Sequence, residues 1–454
     1  MNIRVGNTNR CLLHWIALSI AASLAGSPFA FGQTDQVLTI RDAVAAAMKE
    51  NRQVQVSGLD VDKARENTAG IKDTRLPQFQ TYVLGGEAVR PITFSIPRGA
   101  LGYFPATGPI PGQNATVTTP QQFTAAIFAQ VSQPLSQLWK IRLAIEASKL
   151  GESMASESLR QQRQDTAQSV RDLYYQIVQT QTQIESAESN EKYLVELQEE
   201  TDRNLAAQTA LKGDSLSVKA KLSQQRYQLI TLHDTIATQK ESLNRLLGRD
   251  LGISFSVETQ PMPGSEEIDL AAARQEAIAN RAEVRQARLQ VEKAETDVRR
   301  ERAEYIPELS AHLTYFSLPS VSFAPQNILE AGFMLQWQPW DWGQKHHVTR
   351  SLEMTAQQSS LNEQDAAQQV TLDVNSKFRA LAESRALLDT AALSQESERE
   401  KLRVMTNRYH EKAALLADVL QQEAAVTQSD ADYRKAVAGF WKAKASFERA
   451  LGRE

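Results

Sequence analysis

Apolar and polar residues alternate along this chain with two different periods, and the places where one period gives way to the other mark its elements. Leu329, Ala331, Phe333, Leu335 and Trp337 alternate with Glu330, Gly332, Met334, Gln336 and Gln338. A period of two with one apolar face predicts a strand. Pro339 ends it, Gly343 loosens the junction, and the long stretch beyond contains neither Pro nor Gly. A short strand therefore feeds directly into a very long helix. The same junction occurs once more, at Gln133-Pro134.

The remaining elements fall into order around these two junctions. Thr39 with Asp42 predicts a helix start, and Pro77 a stop. Phe79, Thr81 and Val83 alternate with Gln80, Tyr82 and Leu84, and Ile127, Ala129 and Val131 with Phe128, Gln130 and Ser132. Between these strands, residues 89–120 hold six prolines and several glycines and read as an irregular loop. Val170, Ile177 and Ile184 recur every seven residues, as do Leu222, Leu229, Ile236 and Leu243. Strict sevens predict helices packed along partners in a left-handed supercoil. Gly213-Asp214-Ser215 reads as the tight turn between these helices, and 250–266 as a linker.

Then the pattern starts again. A shift of 230 carries Ala43, Ala47, Val54, Val61 and Pro77 onto Ala273, Ala277, Val284, Val291 and Pro307. A shift of 204 carries Val170 onto Val374, Asp214 onto Asp418, and Leu247-Gly248-Arg249 onto Leu451-Gly452-Arg453. The chain is thus an internal duplication. The first repeat, 33–260, is predicted as helix 41–76, strands 78–88 and 122–133, long helix 140–212 and helix 214–247. The second, 261–454, is predicted as helix 270–306, strands 308–318 and 328–338, long helix 344–417 and helix 418–450. Val374, Leu381, Leu388, Leu402 and Tyr409 form one seam of the second long helix, with Gln395 interrupting it. The last helix carries Val419, Val426, Tyr433, Phe440 and Phe447 at intervals of seven.

Element length constrains the architecture. The long helices would each span about 110 Å, and two short helices laid end to end match one of them. That match suggests a cylinder wall. Strands of about ten residues are long enough to cross a bilayer at a tilt. Trp139, Trp337, Trp340 and Trp342 cluster at their helix-side end, where an aromatic girdle meets headgroups. Four strands cannot close a barrel, and an open edge inside lipid leaves backbone groups unpaired. Closure would then need several copies under cyclic symmetry. Two copies give eight strands and a filled interior; three or four leave a lumen.

Composition and charge narrow the classes. Charged residues are 23% of the 454, mean hydropathy is −0.41, and no 18-residue apolar run follows the N-terminus, which argues against helical spans. Arg4 and Arg10, a mostly apolar Cys11–Leu24 and a small-x-small Ala30-Phe31-Gly32 predict a signal peptide over 1–32. Its removal takes two Arg and no acid, moving the net charge from −4 to −6, and takes the one cysteine. No disulfide, thiolate metal site or thiol nucleophile is then expected, and a mildly acidic chain gives no reason to expect nucleic acid.

These landmarks resemble the TolC-like outer membrane efflux protein family over nearly the whole mature chain. The resemblance rests on the duplication, on the helix endings Leu76-Pro77 and Ile306-Pro307, and on the passages Gln133-Pro134-Leu135 and Gln338-Pro339-Trp340. Asp418-Val419-Leu420 and the closing Leu-Gly-Arg of each repeat carry it too. It implies a mainly α fold with membrane β: a periplasmic α-helical barrel and four strands per chain of a trimeric, 12-stranded outer-membrane β-barrel. It implies a homotrimer joined by a periplasmic adaptor protein to an inner-membrane transporter, in an outer membrane with a long periplasmic extension. The implied function is a passive exit duct of a tripartite efflux pump or type I secretion system.

The resemblance also implies particular positions. Asp418 matches the acidic residue that narrows the periplasmic aperture, and Gln421 stands where a second acid occurs one turn on. Three copies of Asp418 would form a carboxylate ring attractive to cations; the same residue also reads as the cap of the last helix. Adaptors of the family dock on the two hairpin tips, here about 207–216 and 411–420, which hold Gln208, Gly213, Asp214, Lys412 and Leu415. Gln208 and Lys412 replace a glycine usual in the family, and Asp214 reads as a helix cap.

No catalytic constellation is present. The histidines are scattered, and no Gly-rich phosphate loop, Gly-x-Ser-x-Gly or His-Glu-x-x-His occurs. The chain is expected to be no enzyme and to need no cofactor. The competing reading is a periplasmic coiled-coil adaptor or scaffold without a pore, its strands forming a soluble sheet. An adaptor would normally carry one hairpin framed by β-rich halves, whereas here the hairpin is duplicated.

Overall fold

A computed structural model describes residues 36–87, 89–91, 93–118, 123–208, 211–258, 264, 268–318, 325–411 and 413–453. The expected signal peptide and Lys412 lie outside them. The strands are β1 (Gln36–Leu38), β2 (Gln78–Glu87), β3 (Thr93–Ile96), β4 (Tyr103–Phe104), β5 (Gly108–Pro109), β6 (Ala115–Thr118), β7 (Phe123–Pro134), β8 (Phe255–Val257), β9 (Glu308–Ser317) and β10 (Asn327–Gln336). The helices are α1 (Ile40–Glu50), α2 (Arg52–Asp73), α3 (Leu138–Ala206), α4 (Lys212–Leu246), α5 (Leu270–Asn280), α6 (Ala282–Arg302), α7 (Gln344–His410) and α8 (Leu416–Ala450).

Four long strands form one antiparallel sheet in the order β10-β9-β7-β2. Its register brings the apolar alternation into line across the sheet. Val83 pairs with Ile127, Thr81 with Ala129 and Phe79 with Val131; Ala129 and Val131 pair with Tyr315 and Leu313, which pair with Leu329 and Ala331. One face is therefore continuously apolar, because a period of two keeps alternate residues on one side of every strand. The opposite face carries Gln80, Gln130, Thr314 and Glu330, with Phe128 and Phe316 in tilted contact at 4.4 Å between centroids.

The helices form a wall four positions wide. Thr68 and Ser148 (2.8 Å) join α2 to α3, and Arg226 with Glu191 (2.8 Å) joins α4 to α3. Arg285 with Glu157 (3.5 Å) joins α6 to α3, and Gln168 with Ser446 (2.9 Å) joins α8 to α3. Arg302 with Glu353 (2.7 Å) and Gln395 with Asp430 (2.8 Å) join α6 and α8 to α7. So α2 and α4 share one place, α3 the next, α6 and α8 the third, and α7 the last. At about 1.5 Å per residue α3 and α7 are each about 100 Å long. The heptad residues line the seams: Val170, Ile177, Leu243, Val374 and Leu388 are fully buried.

The helices expected as single rods over 41–76 and 270–306 are each two. Asn51 and Arg281 adopt extended backbone, with ψ of 126° and 132°. The Asn51 side chain accepts from the Gln53 and Val54 N–H groups, capping α2, and donates to the Leu246 carbonyl at 2.7 Å. That bond stacks the end of α4 on the start of α2. The two breaks lie 230 residues apart, so the duplication extends to this detail. At each break a left-handed glycine presses on the backbone of the residue before it. A Cβ on Gly248 (φ +72°) would lie 2.2 Å from the Glu50 carbonyl oxygen, and one on Gly452 (φ +81°) 3.0 Å from the Asn280 carbonyl carbon.

Three further expectations change. The linker 250–266 contains β8, which pairs in parallel with β1, and both bury against α3, where the Tyr174 hydroxyl donates to the Leu38 carbonyl at 3.0 Å. Within the loop expected over 89–120, residues 93–118 form a nested hairpin, β3 on β6 and β4 on β5, with Pro97, Pro105, Pro109 and Pro111 at strand ends and turns. The turn expected at 213–215 is the first turn of α4; the chain reverses before Lys212.

Candidate functional site

The features that bear on function are the unclosed edges of sheet and wall, the junction between them, and the hairpin tips. At the sheet edges, every residue of β2 and nearly every residue of β10 is exposed. The exposed side chains include Phe79, Val83, Leu329, Phe333 and Leu335, all on the apolar face. Two such edges are templates for further pairing.

The wall edges carry the same signature. On α7, Met354, Leu361, Leu372, Leu387, Leu393 and Val404 are exposed. At 3.6 residues per turn they fall within about 60° of one line, opposite the seam of Val370, Val374, Leu381 and Leu388. At the other edge, Leu216, Tyr227 and Ile230 of α4 form a stripe opposite the buried Leu222, Leu229 and Leu243. Contiguous apolar stripes of this length mark interaction surfaces. The sequence carried the signal as a second apolar phase on α7, hidden behind the stronger heptad.

The junction between sheet and wall is tied by polar bonds between the repeats. The Ser136 hydroxyl donates to the Pro307 carbonyl and accepts from the Leu309 N–H, both at 2.7 Å. Lys140 lies between Glu304 (2.7 Å) and Glu308 (2.9 Å). Burial alone would lower its pKa, but the two carboxylates outweigh burial and hold it above the usual lysine value. At the second junction Asp341 accepts from the Gly343 and Lys345 N–H groups, both at 3.0 Å, and so caps α7. Trp139, Trp337, Trp340 and Trp342 are all exposed at this level. Trp340 and Trp342 meet edge to face at 5.7 Å, and Trp342 is held at φ +57°, a strained backbone for a bulky residue.

At the tips the structure separates residues that the sequence grouped. Gln208 closes α3 with φ +59°, the conformation in which glycine is least strained. Gly213 and Asp214 lie inside the first turn of α4, past the N-cap position. Leu415, exposed, is the residue before α8. Asp418 is likewise no N-cap: it lies three residues on, and its carboxylate accepts from the Leu415 N–H at 3.1 Å. That reach back satisfies a helix-end donor and leaves Asp418 exposed, with Gln421 exposed one turn on. The tips differ in how their helices are cross-linked. In the first hairpin the Ser215 hydroxyl donates to Asp202 at 2.6 Å and Lys219 pairs with the same carboxylate at 3.2 Å. In the second, the positions 204 residues on are Thr406, Val419 and Glu423, which cannot form that triad.

No helix among the described residues is long and apolar enough to cross a membrane. No group of three His, Cys, Asp or Glu among them is placed to hold a metal ion.

Comparison with known proteins agrees with this geometry. Residues 273–453 match the model of the outer membrane efflux protein family. No curated protein sequence matches the chain. Among solved structures, the Campylobacter jejuni CmeC outer membrane channel superposes with a TM-score of 0.74 at 14% identity, over 91% of this chain and 85% of that one. The outer membrane protein VceC of Vibrio cholerae gives 0.70 at 16%, over 91% and 96%. The open Neisseria gonorrhoeae MtrE outer membrane channel gives 0.67 at 14%, over 91% and 89%. The second repeat thus matches the outer membrane efflux protein family by sequence, and nine-tenths of the chain shares the fold of solved outer membrane channels.

Proposed function

We propose that the protein is the outer-membrane exit duct of a tripartite efflux pump or type I secretion system, closed as a homotrimer. The observation that carries this reading is the match between its two kinds of open edge. The sheet ends in β2 and β10 on the same two sides where the wall ends in α2/α4 and α7. A neighbouring copy that pairs β10 with β2 also covers the apolar stripe of α7 with that of α4. Three copies give a barrel of twelve strands, wide enough for a lumen, above a wall of long helices. The sequence carries no Gly-rich phosphate loop, and transport is powered by an inner-membrane transporter reached through a periplasmic adaptor at the hairpin tips. Exposed Asp418, repeated three times at the far end, forms the aperture ring.

Planar-bilayer recording tests the proposal. Detergent-purified protein is expected to insert and give discrete, cation-preferring conductance. Asp418→Asn removes three negative charges from the ring and is expected to lower cation-over-anion preference by about twofold or more, without abolishing insertion. Protein that remains in solution without detergent and gives no conductance would reject the duct.

A further inference from the structure

We propose that the helix-side rim of the sheet carries a binding site for an anionic phospholipid headgroup, built from Lys72, Arg75 and Arg142 around Trp139. The inference rests on the membrane reading above and adds a lipid class to it.

Cations along the helical wall differ in how they are satisfied. Several are paired with an acid on the neighbouring helix: Arg65 with Glu152 (3.2 Å), Arg299 with Glu146 (2.7 Å), Arg302, the counterpart of Lys72 in the second repeat, with Glu353 (2.7 Å), and Lys140 with Glu304 and Glu308. At the rim, no carboxylate pairs with Lys72, Arg75 or Arg142 among the described residues. Arg75 donates through Nε only to the carbonyl of Lys72, at 3.0 Å. Arg142 lies over the Trp139 ring, 5.8 Å from its centroid. Asp73, exposed on the same turn as Lys72, is the one acid between them and leaves the cluster with two net positive charges.

The three cations converge because α2 and α3 run antiparallel in a known register. Arg65 meets Glu152 and Thr68 meets Ser148; the same register carried two turns further sets Arg75 opposite Arg142. Gln133 fixes the level from the sheet side, donating to the Arg75 carbonyl at 2.9 Å. Leu76, Leu138 and Trp139 are exposed beside them, so the patch grades from apolar to cationic across the width of a headgroup layer. An aromatic ring at the acyl boundary with cations just beyond it suits a phosphate-bearing lipid whose net charge is negative. A zwitterionic lipid brings its own ammonium and satisfies the cluster less well.

Native mass spectrometry with phosphatidylglycerol or phosphatidylcholine titrated into the detergent-solubilised protein tests this directly. Wild type is expected to retain phosphatidylglycerol about tenfold or more tightly than phosphatidylcholine. Lys72→Gln/Arg75→Gln/Arg142→Gln is expected to lose that preference. Arg65→Gln/Arg299→Gln/Arg302→Gln removes the same charge from paired positions and is expected to keep it. Equal retention of the two lipids by wild type, or equal loss of preference in both triple variants, overturns the site. Neither result touches the duct reading, which fails separately if the protein gives no conductance.

Discussion

Replacing Arg281 with Ala is expected to lower stability by about 3–5 kcal/mol, because it strands buried charge. The Arg281 side chain is only 8% exposed, and it binds Glu283 through a two-point fork at 3.0 and 2.9 Å. The same guanidinium donates to Asp373 at 2.8 Å and to the Ala450 carbonyl at 3.3 Å. One residue thus joins the α5–α6 break, the side of α7 and the end of α8. Burial would lower its pKa, but Glu283 and Asp373 outweigh burial and raise it. Burial likewise pushes the Glu283 carboxyl up, and the Arg281 fork outweighs that and holds it below the usual value. A depressed carboxylate stabilises the fold above its unfolded pKa, and that contribution is lost as pH falls through the folded value. Wild type is therefore expected to lose helicity on acidification more steeply than the Ala variant, whose Glu283 has no such partner. Arg281→Lys restores charge but not the fork, so partial recovery is expected. Thermal melts followed by circular dichroism in detergent check both the size and the pH slope.

The second large effect is graded across three glycines. Gly248→Ala combines a left-handed backbone with a Cβ driven into the Glu50 carbonyl, and is expected to cost about 2–4 kcal/mol. Gly452→Ala faces a milder contact and is expected to cost about 1–2 kcal/mol, mostly for its backbone angle. Gly151, within α3, has open space where a Cβ would stand, and its replacement by Ala is expected to stabilise by about 0.5–1 kcal/mol. Equal effects at all three would mean that the two closing glycines do not hold the end of each repeat against its helix break.

These two positions show what the sequence could and could not disclose. Strand alternation and strict sevens are local periodicities imposed by burial, so they were legible, and the landmark offsets made the duplication legible too. Gly248 and Gly452 were visible as matching helix ends, but the helix breaks they press upon were not. Asn51 and Arg281 sit in periodic, Ala-rich runs with no Pro or Gly within six residues on either side, and their extended backbone is set by tertiary partners such as the Leu246 carbonyl. The hairpin over 93–118 was hidden because its ladder joins short segments about twenty residues apart, with prolines between them. At the tips, residue type suggested a cap for Asp418, while position decided that it reaches back from inside the helix. The rim tryptophans were legible by cluster alone; the cations beside them were not, because their pairing depends on how α2 registers against α3.

The central claim is that one chain's β10 edge meets the β2 edge of another and that three copies close the ring. The mature chain is expected to hold no cysteine, so introduced thiols report without background. Thr81→Cys, combined in turn with Leu329→Cys, Ala331→Cys and Phe333→Cys, places both thiols on the apolar face at the two edges. Oxidation of the membrane-inserted protein is expected to yield covalent dimer and trimer, and nothing larger, from the pair that matches the register between copies. Monomer from all three pairs, or a ladder that runs past trimer, would contradict it.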